Sequence, residues 1–146
     1  MKWVTRKNAS VDRVACPWLI TKFVDPAAEF IYVDADEVMA MAQRHGAIPY
    51  DVKDVELGHV DGRCSFESII VKHRLDDPAL KRLAQIVHGA DVSTDRGNCP
   101  EAAGLFAIAH GFALIHGEDD HEKIRLETPM YDALYAWCQK EVGQAR

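Results

Sequence analysis

Three apolar runs within the first 52 residues alternate with two helix-patterned stretches over short connections, and no other feature of the chain constrains its fold as tightly. Lys2–Thr5 reads as extended. Ser10 stands where it would cap a helix carrying Val11, Val14, Ala15, Trp18, Leu19 and Phe23, with its end near Asp25-Pro26. Glu29–Val33 returns as a strand. Asp34 and Glu37 have capping-box spacing and open a helix that ends on Gly46, and Ile48–Val52 forms the third strand. A helix between successive strands carries the chain back to its starting edge and makes the strands parallel. The pattern predicts an α/β fold: a small three-stranded parallel sheet from two βαβ units.

The second half reads as mainly helical. One helix is expected over Ser65–His73, and the next has Asp77 as N-cap, Pro78 at N1, Leu80, Leu83, Ala84 and Val87 on one face, and Gly89 just past its end. Glu101–His116 is apolar on almost every side, which predicts a helix buried at the centre of the domain. The last helix is expected to begin at Thr128-Pro129 and to turn Met130, Ala133, Leu134 and Trp137 inward. No repeat or linker interrupts the sequence, so residues 1–146 are read as a single domain.

Charge and cysteine content exclude several classes. Lys and Arg number 17 against 23 Asp and Glu, a net charge of −6 that repels polyanions and argues against nucleic acid as a partner. Polar residues follow Trp3 and Val4 too soon for a signal peptide, and no run reaches the roughly 18 apolar residues of a membrane span. Cys16, Cys64, Cys99 and Cys138 are too dispersed for a disulfide scaffold, which points to a reducing cytoplasm. Phosphate-binding glycine motifs and the hydrolase nucleophile elbow are absent.

An open parallel sheet binds ligands at its carboxyl edge. The loops Arg6–Ser10 and Lys53–Arg63 should face that crevice together. His59, Cys64 and Glu67 have the spacing H-x4-C-x2-E, and imidazole, thiolate and carboxylate together suit a divalent transition metal such as Zn, Fe or Mn. The competing reading makes Glu67 a partner of the helix dipole, Cys64 a small buried hydrophobe and His59 a turn residue. Asp91 and His121 are weaker candidate ligands.

A second cluster, Asp12-Arg13-Val14-Ala15-Cys16-Pro17-Trp18, would set Arg13 beside Cys16 on a helix, where the guanidinium lowers the thiol pKa or holds an oxyanion. Any catalytic thiol would be Cys16. Pro17 implies that the helix starts near Cys16 or kinks there, and the alternative is an Asp12–Arg13 ion pair beside a buried cysteine. His110 reads as a satisfied core histidine, and Asp119-Asp120-His121-Glu122 as a turn and helix start.

The chain resembles the chromate-resistance family that forms the C-terminal domain of ChrB-type regulators. The likeness rests on Asp12-Arg13-Val14-Ala15-Cys16-Pro17-Trp18-Leu19-Ile20, Ala28-Glu29-Phe30, His59 with Cys64-Ser65-Phe66-Glu67, Gly89-Ala90-Asp91, Glu101-Ala102-Ala103-Gly104-Leu105, and Asp119-Asp120-His121-Glu122 with Tyr131-Asp132-Ala133-Leu134-Tyr135-Ala136-Trp137-Cys138. Members occur fused to a regulatory or a rhodanese-like domain, and the resemblance implies a role in the response to chromate. It draws attention to Arg13, Cys16, His59, Cys64 and Glu67; His88 stands where the family is expected to carry a basic residue. With no preceding segment to carry DNA binding, repression is not expected of this chain, nor is export.

Three functions stay open at this level. The first is a metal-binding domain that senses or handles chromate or a similar small oxyanion, with Arg13 at the anion. The second is a thiol- or metal-dependent chromate reductase, so whether the chain is an enzyme is undecided. The third is a non-catalytic module acting with a sulfurtransferase or regulator. Tyr131, Tyr135 and Trp137 would give such a module a homodimer face, unless their i, i+4 stripe is core.

Overall fold

The computed structural model describes residues 1–144. Its elements are β1 (Lys2–Arg6), α1 (Asp12–Phe23), β2 (Glu29–Val33), α2 (Val38–His45), β3 (Ile48–Pro49), α3 (Ser65–Lys72), α4 (Pro78–Asp91), α5 (Pro100–His116) and α6 (Asp120–Glu141), with 3-10 turns at 35–37 and 93–95. The strands form a parallel sheet in the order β2-β1-β3, as the alternating pattern predicts. Because successive side chains on β1 point to opposite faces, the central strand feeds two cores. Val4 packs with Val38, Ala42 and Ala47 under α2, whereas Trp3 joins the large core shared by α1 and the helical second half.

Several boundaries differ from expectation. Ser10 caps nothing: α1 starts at Asp12 and runs unbroken through Pro17. A proline there removes the N–H that would serve the carbonyl of Arg13, and the Tyr32 hydroxyl donates to that carbonyl instead at 2.8 Å. Asp34 makes no capping bond and pairs with Lys7 at 3.0 Å, so a 3-10 turn precedes α2, which ends on Gly46 as expected. β3 keeps only two residues because the chain leaves the sheet after Tyr50.

In the second half α4 passes through Gly89 and ends at Asp91. Gly89 is a contact residue rather than a cap: a Cβ there would lie 2.3 Å from Asn98 Oδ1 and 2.7 Å from the Ala102 Cβ. Thr128-Pro129 starts no helix, because Asp119 already accepts the Glu122 N–H and α6 runs on through Pro129. The expectation that the apolar helix lies at the centre is corrected as well. Only Ala102, Leu105 and Ala109 of α5 are buried, since α4 and α6 cover one side of it, and Leu114 is 88% exposed.

No helix among the described residues is long and apolar enough to cross a membrane. All four cysteines are free.

Candidate metal and oxyanion site

The carboxyl edge of the sheet opens where β1 hands over to α1 and β3 to the loop 50–64, and the side chains that bear on chemistry collect there. Asp120 draws the first connection inward by accepting the N–H groups of Asn8 and Ala9 at 3.0 and 2.7 Å. Its counter-ion is the fully buried Lys123, 3.0 Å away, which also donates to the carbonyls of Ala9 and Gly117. The acidic turn that begins α6 therefore holds the loop that delivers Asp12 and Arg13.

Asp12 is buried at the first turn of α1 and reaches across to α3. Its carboxylate accepts the N–H groups of Ser65 at 2.7 Å and Phe66 at 3.1 Å, two of the donors that a helix start leaves without intrahelical partners. The Cys16 thiol lies 3.4 Å from Asp12 Oδ1. Burial and then the neighbouring Asp12 charge push the Cys16 thiol well up, so it stays protonated, the reverse of an activated nucleophile.

The loop 50–64 folds back tightly enough that a Cβ on Gly58 would meet the Val52 carbonyl oxygen at 2.4 Å, and Ser68 fixes the Gly58 carbonyl at 2.8 Å. This presents His59 to three acids at once. His59 Nε2 lies 3.1 Å from Asp91 Oδ2, 3.4 Å from Asp51 Oδ1 and 3.7 Å from Asp12 Oδ2. Asp51 holds a left-handed backbone conformation, φ 49°, which turns its side chain into the crevice. Its Oδ1 also accepts the Ser65 hydroxyl at 3.1 Å.

Electrostatics follow from this packing. The bonds to Asp12, then Asp51 and Asp91, push the His59 imidazole up to about 12 against the opposing effect of burial. Burial pushes the Asp12 carboxyl up, to about 7, while His59 and the Ser65 N–H oppose it. Arg13 Nε stands 3.7 Å and an Arg6 amino nitrogen 3.8 Å from Asp51 Oδ2. Arg6, Asp51, Lys53, Asp54 and His59 line a crevice of about 340 Å³.

A second constellation lies on the other flank of the α3 N-terminus. Cys64 is the N-cap, and Glu67 closes a capping box by accepting the Cys64 N–H at 2.9 Å. Glu67 Oε1 also lies 2.5 Å from His88 Nδ1, and Asp95 Oδ2 is 2.6 Å from the other ring nitrogen. Burial opposes charge on His88, but Asp95 and Glu67 together raise its pKa. Burial, then the Asp12 charge, pushes the Cys64 thiol up.

The metal-ligand candidates are thus distributed over two places. Cys64 and Glu67 come together with His88, whereas His59 comes together with Asp12 and Asp91; within each group the ligand atoms lie within 4.8 Å of one another. Arg13 faces the His59 crevice through Asp51. His121 stacks edge-on against Tyr32 and belongs to neither group. Tyr131 is core, and Trp137 is 45% exposed beside a groove between α5 and α6. Sequence reasoning missed Asp51, and it read Asp12 as an ion-pair partner rather than a cap. The available signal for Asp51 was its place just after the third strand, at the edge where parallel sheets bind ligands.

A sequence model of the family described as "ChrB, C-terminal domain" matches residues 3–138. Protein ChrB of Cupriavidus metallidurans (strain ATCC 43123 / DSM 2839 / NBRC 102507 / CH34) is 37% identical over 113 residues, which cover 75% of this chain and 32% of that protein. The chain therefore spans about a third of the length of that curated relative. No solved structure matches it.

Proposed function

The chain belongs to the family of ChrB C-terminal domains, and from that membership we propose that it serves the response to chromate as a metal-binding domain. Asp12, His59 and Asp91 hold a divalent transition cation with Asp51 flanking the imidazole, and Arg13 and Arg6 hold a small tetrahedral oxyanion beside it. The observation that carries this reading is the convergence of three carboxylates, from α1, the β3 loop and α4, on one imidazole nitrogen at 3.1–3.7 Å. Burying acids is costly unless cations compensate, and Asp12 and Asp51 are 1% and 7% exposed. Two carboxylate oxygens and one imidazole form a donor set suited to Mn, Fe or Zn. A dianion such as chromate needs guanidinium donors to enter a protein of charge −6, and Arg6 supplies one in the crevice lining while Arg13 stands behind it on Asp51. The four free cysteines support a cytoplasmic setting for this chemistry.

The experiment is Mn²⁺ titration followed by electron paramagnetic resonance, on protein purified anaerobically without an affinity tag. About one oxygen-rich site is expected, weakened at least about tenfold in Asp91→Asn and in His59→Ala. Chromate binding to the Mn-loaded protein, read by calorimetry, should weaken by a similar factor in Arg13→Ala. A folded parent that takes up no metal overturns the reading. The thiol-reductase alternative gains no support from a Cys16 that is buried and turned to Asp12. The interaction-module alternative is favoured by the uncovered apolar face of α5, where Leu114 and Ile115 stand exposed.

A further inference from the structure

We propose that Cys64, Glu67 and His88 form a second cation site, for a borderline-soft divalent ion of the zinc class, with Asp95 orienting the imidazole from behind. The site shares no residue with the one at His59. Its ligand atoms, Cys64 Sγ, a Glu67 carboxylate oxygen and a His88 ring nitrogen, lie within 4.8 Å of one another. Ligand atoms around a tetrahedral zinc stand roughly 3.3–3.8 Å apart, given bonds of about 2.0–2.3 Å. Admitting the ion therefore asks the 2.5 Å contact between Glu67 and His88 to open by roughly 0.8 Å.

The arrangement behind the imidazole is the independent observation. A metal-bound histidine typically donates its other ring N–H to a carboxylate, which fixes the tautomer and aims the ligating nitrogen. His88 has this geometry: Nδ1 faces Glu67 while Nε2 lies 2.6 Å from Asp95 Oδ2. An imidazolium clasped between two acids would account for His88 alone, but not for a thiol within reach of the same point. The Cys64 side chain accepts the Glu67 N–H as the N-cap of α3, a position that Ser, Thr, Asp and Asn fill better than Cys does.

The turn that carries Asp95 is tied to α4. Asp95 ends the 3-10 turn that follows α4, and that turn is held by the Arg96 guanidinium on the Ala90 carbonyl at 2.8 Å and by the close packing of Gly89 against Asn98. Glu67 also borders a surface cleft of about 230 Å³. Three protein ligands leave a fourth position for water or a small anion.

Cobalt(II) reports on this site selectively, because a sulfur ligand gives an intense ultraviolet sulfur-to-cobalt charge-transfer band. Titrated with Co²⁺, the reduced full chain should develop this band, and His59→Ala should retain it. Cys64→Ser keeps a capping oxygen and should fold normally by circular dichroism while losing the band. His88→Ala should weaken cobalt binding at least about tenfold, and Asp95→Asn by about 10- to 100-fold. A folded parent without the band at saturating cobalt overturns the proposal. So does a band that survives Cys64→Ser, or one lost in His59→Ala and kept in His88→Ala.

Discussion

Asp12 caps α3 from a different helix, with its Oδ2 2.7 Å from the Ser65 amide nitrogen across 53 positions of sequence. The same carboxylate takes the Phe66 N–H, so α1 and the α3 start are tied by two buried hydrogen bonds. Asp12→Ala leaves both donors without a partner. It should cost about 2–4 kcal/mol in urea unfolding, more than loss of an exposed cap. A change below about 1 kcal/mol would show that the α3 start finds other acceptors.

Pro17 and Tyr32 make a coupled pair through the Arg13 carbonyl. Tyr32→Phe removes the donor that serves this carbonyl and should destabilise the protein by about 1–2 kcal/mol. Pro17→Ala restores a backbone N–H to the same acceptor. In the Pro17→Ala background the cost of Tyr32→Phe should therefore shrink by at least about 0.5 kcal/mol in a double-mutant cycle of urea unfolding. Strict additivity would mean that the hydroxyl does not substitute for the missing helix bond.

The parallel sheet was legible because helices between short strands leave the chain few alternatives, and β1, β2 and the start of β3 fall where the apolar runs place them. The position of α5 was not legible. A uniformly apolar helix records what it would bury but not how much its neighbours can cover, and α4 and α6 together cover a single side. Pro129 misled for a local reason: Thr-Pro resembles a cap followed by N1, yet the Thr128 hydroxyl bonds back to the Ile124 carbonyl inside a continuous helix. The loop carrying His59 could be seen to fold back toward the crevice. Its direction could not, because it depends on the contact of Gly58 with the Val52 carbonyl and on the positive φ of Asp51. Only in three dimensions does His59 meet Asp12, Asp51 and Asp91 while Cys64 and Glu67 meet His88.

Gly89 separates helix propensity from packing. Inside a helix Gly→Ala ordinarily stabilises by about 1 kcal/mol. Here the added methyl would lie 2.3 Å from Asn98 Oδ1 and 2.7 Å from the Ala102 Cβ, so α5 and the turn before it must shift. Gly89→Ala should therefore destabilise, by about 1–3 kcal/mol of overpacking. A higher melting temperature in the variant would show that Asn98 moves aside freely.

Glu127 should make stability fall as pH rises. It is fully buried, both carboxylate oxygens lack a hydrogen-bond partner, and burial pushes its pKa up to about 8 although Lys123 pulls the other way. An unfolded glutamate titrates near 4.5. Below that value both states carry the proton and the contribution is complete; between about 4.5 and 8 the unfolded chain ionises while the folded one keeps its proton, so stability is lost; above about 8 nothing further is lost. The neighbouring Tyr131 hydroxyl is itself buried without a partner, and burial pushes its pKa well up, so it stays neutral across this window. Glu127→Gln keeps the shape and removes the titration. In urea unfolding from pH 4.5 to 8.5 the variant should lose less stability than the parent and exceed it by at least about 1 kcal/mol at pH 8. Parallel pH profiles would show that Glu127 ionises in the folded protein as readily as in the unfolded chain.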